Sequence, residues 1–559
     1  MEGPSSRPGQ AEAGSPSLIE SLTDLSRKAS KGRLRRGLAL TITALLLAAC
    51  GGGNPKPPSL HATLVVPAAG YVLLNEPIAV LFDRPLKATK SVTLAPSAEV
   101  TIKTEGKTLL ITPAAAWQPG TTYEIHLAGA TSTDGGILKA FAAKFATQPR
   151  HGVAGFLVGG RPVTGEPTIP ATAHVSISFT DPMNVQTTQP LVNDKPLAAG
   201  AFKWADDGKS VELSPDLLPF QKYIFGVGGQ PATANGEVLT DTSTLSVHPV
   251  PIEPSNESSA IPAGFKGIPP VQVVVEDSGD SRPQTGFQAA DLVFEYISEY
   301  GVNRMAALYF NHVPDAVGPV RSCRTINAFL VFAFQGIVMC SGVARGTQHY
   351  IPGGGGHGTK AAPGVIADQE VGTTHFYRSN SRAAPHNLYT SGALAEGLRS
   401  TFPGDPSTTY LVDPQHSDNG LGQPTEAPSV GLQGVSYSYD GGSQQYLRFE
   451  RGAAFTDGAT GAQLKVKNIA VLHVPFHYTD WSEDGCCAWS VWYEMLGTGP
   501  AELYSDGKVL HATWHMGTAG QVYFENNQPI WFTDDATGKV IQLNTGLTWL
   551  HVVGNGQTG

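Results

Sequence analysis

ADLVFEYISEYGVNRMAALYF, residues 290–310, decides how the second half of this chain folds. From Asp291 to Ile297 the residues are mostly apolar or aromatic. Carboxylates at Asp291, Glu295 and Glu299 share one parity, so on a strand they share one face. Tyr300-Gly301 breaks the run, and Met305 to Phe310 is a second apolar run. The stretch therefore predicts a β-hairpin, with Arg304 placed to meet Glu299 across the turn. Further on, Gly318-Pro319-Val320-Arg321 predicts a helix start, because proline in the first turn gives up an N–H that has no partner there. Ile326, Phe329, Leu330 and Ala333 follow at helical spacing. Arg321 and Arg324 would then stand on the first turn, where two guanidinium groups beside open N–H groups make an anion site. The alternative is that they pair with Asp291 or Glu295 inside the fold.

Working outward, several phrases in order resemble the YerB-like family of bacterial lipoproteins. They are RPQTGFQAADLVFEY from Arg282, EYGVNR, GPVRSCR, RAAPHNLYTS from Arg382 and GAQLKVKNIAVLHV from Gly461, with the closing run from DGKVLHATW to LNTGLTWLHVV. The resemblance spans about half the chain, and it implies a domain of unknown function rather than a named activity.

The 559 residues are enough for three or four domains. Charged residues make up only 15%, against 64 Gly and 42 Pro, which is a turn-rich, β-rich composition. Net charge is −10; residues 1–49 hold seven Lys/Arg and four Asp/Glu, leaving 30 against 43 in the remainder. So acidic a remainder is a poor nucleic-acid binder, and no nucleic-acid partner is expected.

Arg27 to Arg36 form a basic block, and Gly37 to Ala49 is an apolar run too short for an ordinary membrane span. It suits a signal segment over 1–49 and ends Leu47-Ala48-Ala49-Cys50, which resembles a bacterial lipobox. That resemblance implies cleavage before Cys50, lipidation of its thiol and an extracytoplasmic protein anchored to the membrane. Residues 50–60 read as the lipidated cysteine and a tether. Residues 61–148 and 152–248 read as two β-sandwiches related by a repeat of about 100 residues. Asp83-Arg84-Pro85 answers to Asp181-Pro182-Met183, Thr122-Tyr123 to Lys222-Tyr223, and Asp134-Gly135 to Asn235-Gly236. Both resemble bacterial Ig-like domains, which implies spacers. A Pro-rich linker covers 249–270. An α/β lobe is expected over 271–420, and a β-rich lobe over 430–555 with strands that include 469–474, 490–493 and 521–524. The fold class is multidomain: two all-β Ig-like sandwiches, then an α+β (α/β-like) lobe and a β-rich lobe.

The loop GGGGHGTK at 353–360 fails as a phosphate loop, since Thr359 separates Gly358 from Lys360. His349, His357, His375 and His386 lack the spacing of a zinc motif, so no metal and no cofactor is expected. His473 and His477 are no better placed, with Pro475 between them. Arg382, His386 and Asn387 form a polar cluster that either contacts a ligand or braces a loop. No nucleophile elbow or zinc-protease motif occurs. Glu295 and Glu299, about 13 Å apart along a strand, are too distant for a glycosidase pair. Of the cysteines after Cys50, Cys323, Cys340, Cys486 and Cys487 allow three full pairings.

These readings converge on a membrane-anchored module that binds or scaffolds an anionic envelope ligand, such as a cell-wall polymer. Arg321, Arg324, Arg382, His386 and Asn387 are its expected contacts. One alternative is a cell-wall hydrolase or transferase using His386 with Glu295 or Asp291. The other is a purely structural envelope protein.

Overall fold

The computed structural model describes residues 57–554 except 66, 68–69, 257–266, 300, 311, 344–345, 352–364, 403, 414–424, 428, 433, 483–484 and 518–527. Cys50 and the signal segment, the 353–360 loop with His357 and Lys360, the middle of the linker and the expected strand 521–524 lie outside the described residues. The chain divides into two compact units, 1–151 and 152–559.

The described part of the first unit is a sandwich. A four-stranded antiparallel sheet runs Ala62–Val65, Ile78–Phe82, Thr108–Pro113, Val100–Glu105, and a three-stranded one runs Ser91–Ala95, Thr122–Ala128, Phe141–Ala146. Inward residues alternate along the strands: Val80, Leu109, Ile111, Ile125 and Phe145 close over Trp117.

The second unit opens with another sandwich, of two five-stranded sheets around Val175, Ile177, Val211, Phe225 and Val247. The repeat read from sequence is visible in hydrogen bonds. The Tyr123 hydroxyl accepts from the Gln118 N–H, and the Tyr223 hydroxyl accepts from the Leu218 N–H. Ser132 Oγ accepts from the Gly136 N–H, and Thr233 Oγ1 accepts from the Glu237 N–H, around the two Asx-Gly turns.

The rest of this unit is built on one twelve-stranded sheet. Its first half holds β1 (Val271–Glu276), β2 (Leu292–Ile297), β3 (Asn303–Tyr309), helix α1 (Thr325–Ala333), β4 (Ile337–Cys340), β5 (Val365–Asp368) and helix α2 (Gly392–Arg399). A smaller five-stranded sheet includes β6 (Val435–Asp440), β7 (Gln445–Glu450) and β8 (Ala453–Ala454). Then come β9 (Asn468–His473), β10 (Gly497–Ser505), β11 (Lys508–Met516), β12 (Trp531–Asp534), β13 (Val540–Ile541) and β14 (Thr548–Val553). The strand order is β5-β4-β1-β3-β2-β14-β9-β10-β11-β12-β13, with Thr425–Glu426 added beside β11.

The expected hairpin is β2–β3, antiparallel, with Glu295 opposite Met305. Strand β14 runs parallel to both β2 and β9 and so joins the two halves in one sheet. Its sequence TWLHVV is buried on both faces, as a central parallel strand requires. Leu292, Phe294, Tyr296, Ala306 and Leu308 face Phe329 and Leu330 of α1. Val293, Met305, Ala307 and Trp549 face Tyr437 and Tyr446 of the small sheet.

The helix start is corrected. α1 begins at Thr325, with Arg324 as its N-cap, and not at Pro319. The Gly318–Pro319 peptide is cis, and 318–321 runs extended because its backbone is taken by neighbours. Glu276 N–H donates to the Pro319 carbonyl, Arg321 N–H to Val274, and Val320 N–H to Leu388. Arg321 therefore stands outside the helix. Cys323 and Cys340 form a disulfide, with Cα atoms 5.5 Å apart; Cys486 and Cys487 are exposed.

Candidate functional site

β1 reads Val-Gln-Val-Val-Val-Glu, all buried, and its last residue, Glu276, is followed directly by a second buried carboxylate, Asp277. Alternation along a strand sends these two to opposite sides of the sheet. The extended segment 318–321 lies between the end of β1 and the segment around Leu388. Arg321 and His386, 65 positions apart in sequence, therefore meet at Glu276.

Glu276 is 3% exposed at its side chain. Its Oε1 accepts from Arg321 Nη2 at 3.0 Å and from Ser278 Oγ at 2.8 Å. His386 Nδ1 lies 3.0 Å from both carboxylate oxygens. Burial alone would push this carboxyl up, but His386, Arg321 and Ser278 together hold it below the usual carboxylate range. Arg321 and His386 each keep 24% of their side chains exposed. His386 Nε2, on the other side of the ring from Glu276, is 4.0 Å from the exposed Asp280.

Arg324 is placed elsewhere. Its Nε donates to Glu299 Oε2 at 2.8 Å, while Arg304 Nη2 donates to Glu299 Oε1 at 3.0 Å. All three side chains are nearly buried. Burial opposes the Glu299 charge, and the Arg324 hydrogen bond and both guanidinium charges lower its carboxyl in spite of it. This is the cross-turn pair expected from sequence, extended by a second arginine.

Arg382 donates to the carbonyls of Ser281 and, at 2.6 Å, Pro283. It thereby clamps the turn just after β1. Asn387 accepts from Arg378 at 2.8 Å and donates to the Ser379 carbonyl at 3.0 Å, which braces its own loop. Asp291 takes N–H groups of Asn256 and Phe310 and the Ser255 hydroxyl, so it ties the linker to the sheet. Glu295 accepts from Trp549 Nε1 at 2.8 Å and lies 3.1 Å from Arg448 Nη2. Neither Asp291 nor Glu295 is hydrogen-bonded or ion-paired with His386. The carboxylate beside His386 is Glu276.

Sequence reasoning misses Glu276 because it closes an apolar strand and its partners come from 45 and 110 residues away. The signal for it is the Glu-Asp pair directly after the apolar run Val273–Val275. Among the described residues, no three His, Cys, Asp or Glu gather as a metal ion would require. His375 contacts the Leu394 carbonyl, His473 pairs with Glu502, and His349 is exposed.

Residues 261–403 match the family described as the N-terminal domain of a protein of unknown function (DUF3048), and residues 428–550 match its C-terminal domain. Residues 54–147 match a bacterial Ig-like domain. A relative from Bacillus subtilis (strain 168), named "Putative lipoprotein YerB", is 26% identical over 291 residues, 51% of this chain and 81% of that protein. The crystal structure of YerB from Bacillus subtilis is 25% identical, covers 52% of this chain and 91% of its own, and has a TM-score of 0.40. The N-terminal part of the bacterial S-layer protein SbsC is 13% identical, with 34% and 44% covered and a TM-score of 0.14.

Proposed function

We propose that this chain, YerB-like through its DUF3048 domains and carrying a bacterial Ig-like domain ahead of them, is an extracytoplasmic lipoprotein that binds an anionic cell-envelope ligand at the end of β1. The anchor reading is supported by Leu-Ala-Ala-Cys50 behind a basic block and by the name of its relative. The binding reading rests on one observation: Glu276 fixes Arg321 and His386 in place while leaving part of each exposed. Donors held this way lose little freedom when an anion arrives. Arg382 and Asn387 fix the loops that form the wall, and Arg324 braces the turn behind Arg321 through Glu299.

The test is co-sedimentation of the purified chain with isolated cell-wall polymer, against an Arg321→Lys variant. Lysine keeps the charge that Glu276 needs but loses the planar fork. We expect a drop in affinity of at least ~10-fold with the fold intact. Equal retention of a folded variant would count against the site.

A second reading, hydrolysis of wall material, is favoured by the His386–Glu276 contact. A carboxylate on Nδ1 orients an imidazole as a general base whose Nε2 can take a proton. Among the described residues no hydroxyl or thiol bonds that Nε2, so water would be the nucleophile. Soluble fragments released by the wild type and not by His386→Gln would move the assignment to an enzyme.

A further inference from the structure

The Arg321 site carries a second carboxylate at its mouth, and that carboxylate narrows what the site accepts. Asp280 sits on the short turn Gly279–Ser281, just after β1. The turn is tied down at several points. Ser278 N–H donates to Ser281 Oγ at 3.1 Å, and Ser281 Oγ donates to the Ser278 carbonyl at 2.8 Å. The Ser278 hydroxyl donates to Glu276, and Arg382 holds the carbonyls of Ser281 and Pro283. The Asp280 backbone therefore has a fixed place, while its side chain is 86% exposed and makes no hydrogen bond among the described residues.

His386 joins this carboxylate to the buried one. Its Nδ1 faces Glu276, and its Nε2 is 4.0 Å from Asp280 Oδ2. Arg321 bonds the same Glu276 oxygen through Nη2. Its Nε is enclosed, whereas its Nη1 is not enclosed and has no hydrogen bond among the described residues. The mouth thus presents an open guanidinium edge and an open carboxylate, separated by one Glu276 oxygen and one imidazole ring.

The charges discriminate between ligands. Glu276 and Asp280 are two carboxylates against the one guanidinium of Arg321, and His386 adds a charge only when protonated. A plain anion bound at Arg321 adds a further negative charge to an already negative mouth. An anion that carries its own cation does not, and it gives Asp280 a partner.

We propose that the site takes a free amino-acid group, with its carboxylate on Arg321 Nη1 and its ammonium toward Asp280. This rests on the anion-binding reading of Arg321 and narrows the ligand from anions in general to a carboxylate with an ammonium on the next carbon. The guanidinium–carboxylate pair is charge-assisted and supplies most of the affinity. The ammonium meets an exposed carboxylate, so it contributes selectivity more than strength.

The test is an NMR titration of the 15N-histidine-labelled chain at neutral pH with glycine and, separately, with sodium propionate at equal ionic strength. The two probes share a carboxylate and a shape, and differ by an ammonium in place of a methyl group. We expect glycine to half-saturate the His386 shift at ~3-fold lower concentration than propionate, the size of effect an exposed ion pair gives. Asp280→Asn should erase that preference, and because the side chain is exposed it should leave the fold intact. Cell-wall polymer added to the glycine-bound chain then assigns the source. Displacement of glycine places the amino-acid group on the polymer, and retention of glycine assigns a free amino acid. Equal half-saturation by the two probes, or a glycine preference that Asp280→Asn leaves unchanged, would overturn the proposal and leave the anion site standing. No His386 shift with either probe would overturn the anion site and this proposal with it.

Discussion

Among the described residues, no cation pairs with the Glu253 carboxyl. It is 4% exposed, its Oε1 has no hydrogen bond, and burial alone pushes it from an ordinary value of 4.5 up to about 8. The folded state therefore binds this proton at pH values where the unfolded chain has released it. Glu253 thus costs nothing below about pH 4.5, and its cost grows as pH rises from there to about 8. Glu253→Gln should be as stable as wild type at pH 4.5 and more stable by on the order of 3–4 kcal/mol at pH 8. Urea unfolding across that range reads the difference directly, and parallel curves would refute it. Single residues are also where the sequence is least legible. Arg321 and His386 stand out by type, but Glu276, which joins them, does not, because adjacency in space was set by 318–321 lying along β1. Glu295 and Asp291 look like catalytic carboxylates in the sequence, yet one is held by Trp549 and Arg448 and the other by the linker's own N–H and hydroxyl groups.

At the scale of elements, legibility depends on how local the determining contacts are. The β2–β3 hairpin reads correctly because its strands are consecutive and its polar residues cluster at the turn. The start of α1 does not, because Gly-Pro here marks an extended segment pinned from both sides instead of a first helical turn. Nor does β14 announce that it will insert between β2 and β9, a pairing more than 250 residues apart in sequence for β2. The disulfide belongs to this scale as well. It ties Cys323, just ahead of α1, to Cys340 at the end of β4, across a sequence separation of 17. A loop of that length restrains the unfolded chain by roughly 3 kcal/mol. A Cys323→Ser/Cys340→Ser chain should lose about that much in denaturant titration, and reduction of the wild type should match it. An unchanged midpoint would mean that packing of α1 against the sheet already supplies the restraint.

Over the whole second unit, the sandwich of 152–248 is seamed to the twelve-stranded sheet and its surroundings. Thr172 donates to Gln542 at 2.8 Å, Lys539 pairs with Asp216 at 3.0 Å, and Ile252–Pro254 runs parallel to Leu411–Asp413. Ala171 and Thr172 also share a small cavity wall with Glu253, Phe532 and Ile541. This unit should therefore unfold in one calorimetric transition, and a separate transition for the sandwich would contradict the seam. The site at the end of β1 depends on the same long-range assembly, since its residues come from β1, the segment before α1 and the stretch around His386 just ahead of the short strand Leu388–Tyr389. The most direct test of its role is a titration of the 15N-histidine-labelled chain with solubilised cell-wall polymer, read by NMR. Binding at Arg321 and His386 predicts that the His386 ring signal shifts in step with saturation while that of buried His551 stays in place. Binding that leaves His386 unmoved would contradict it.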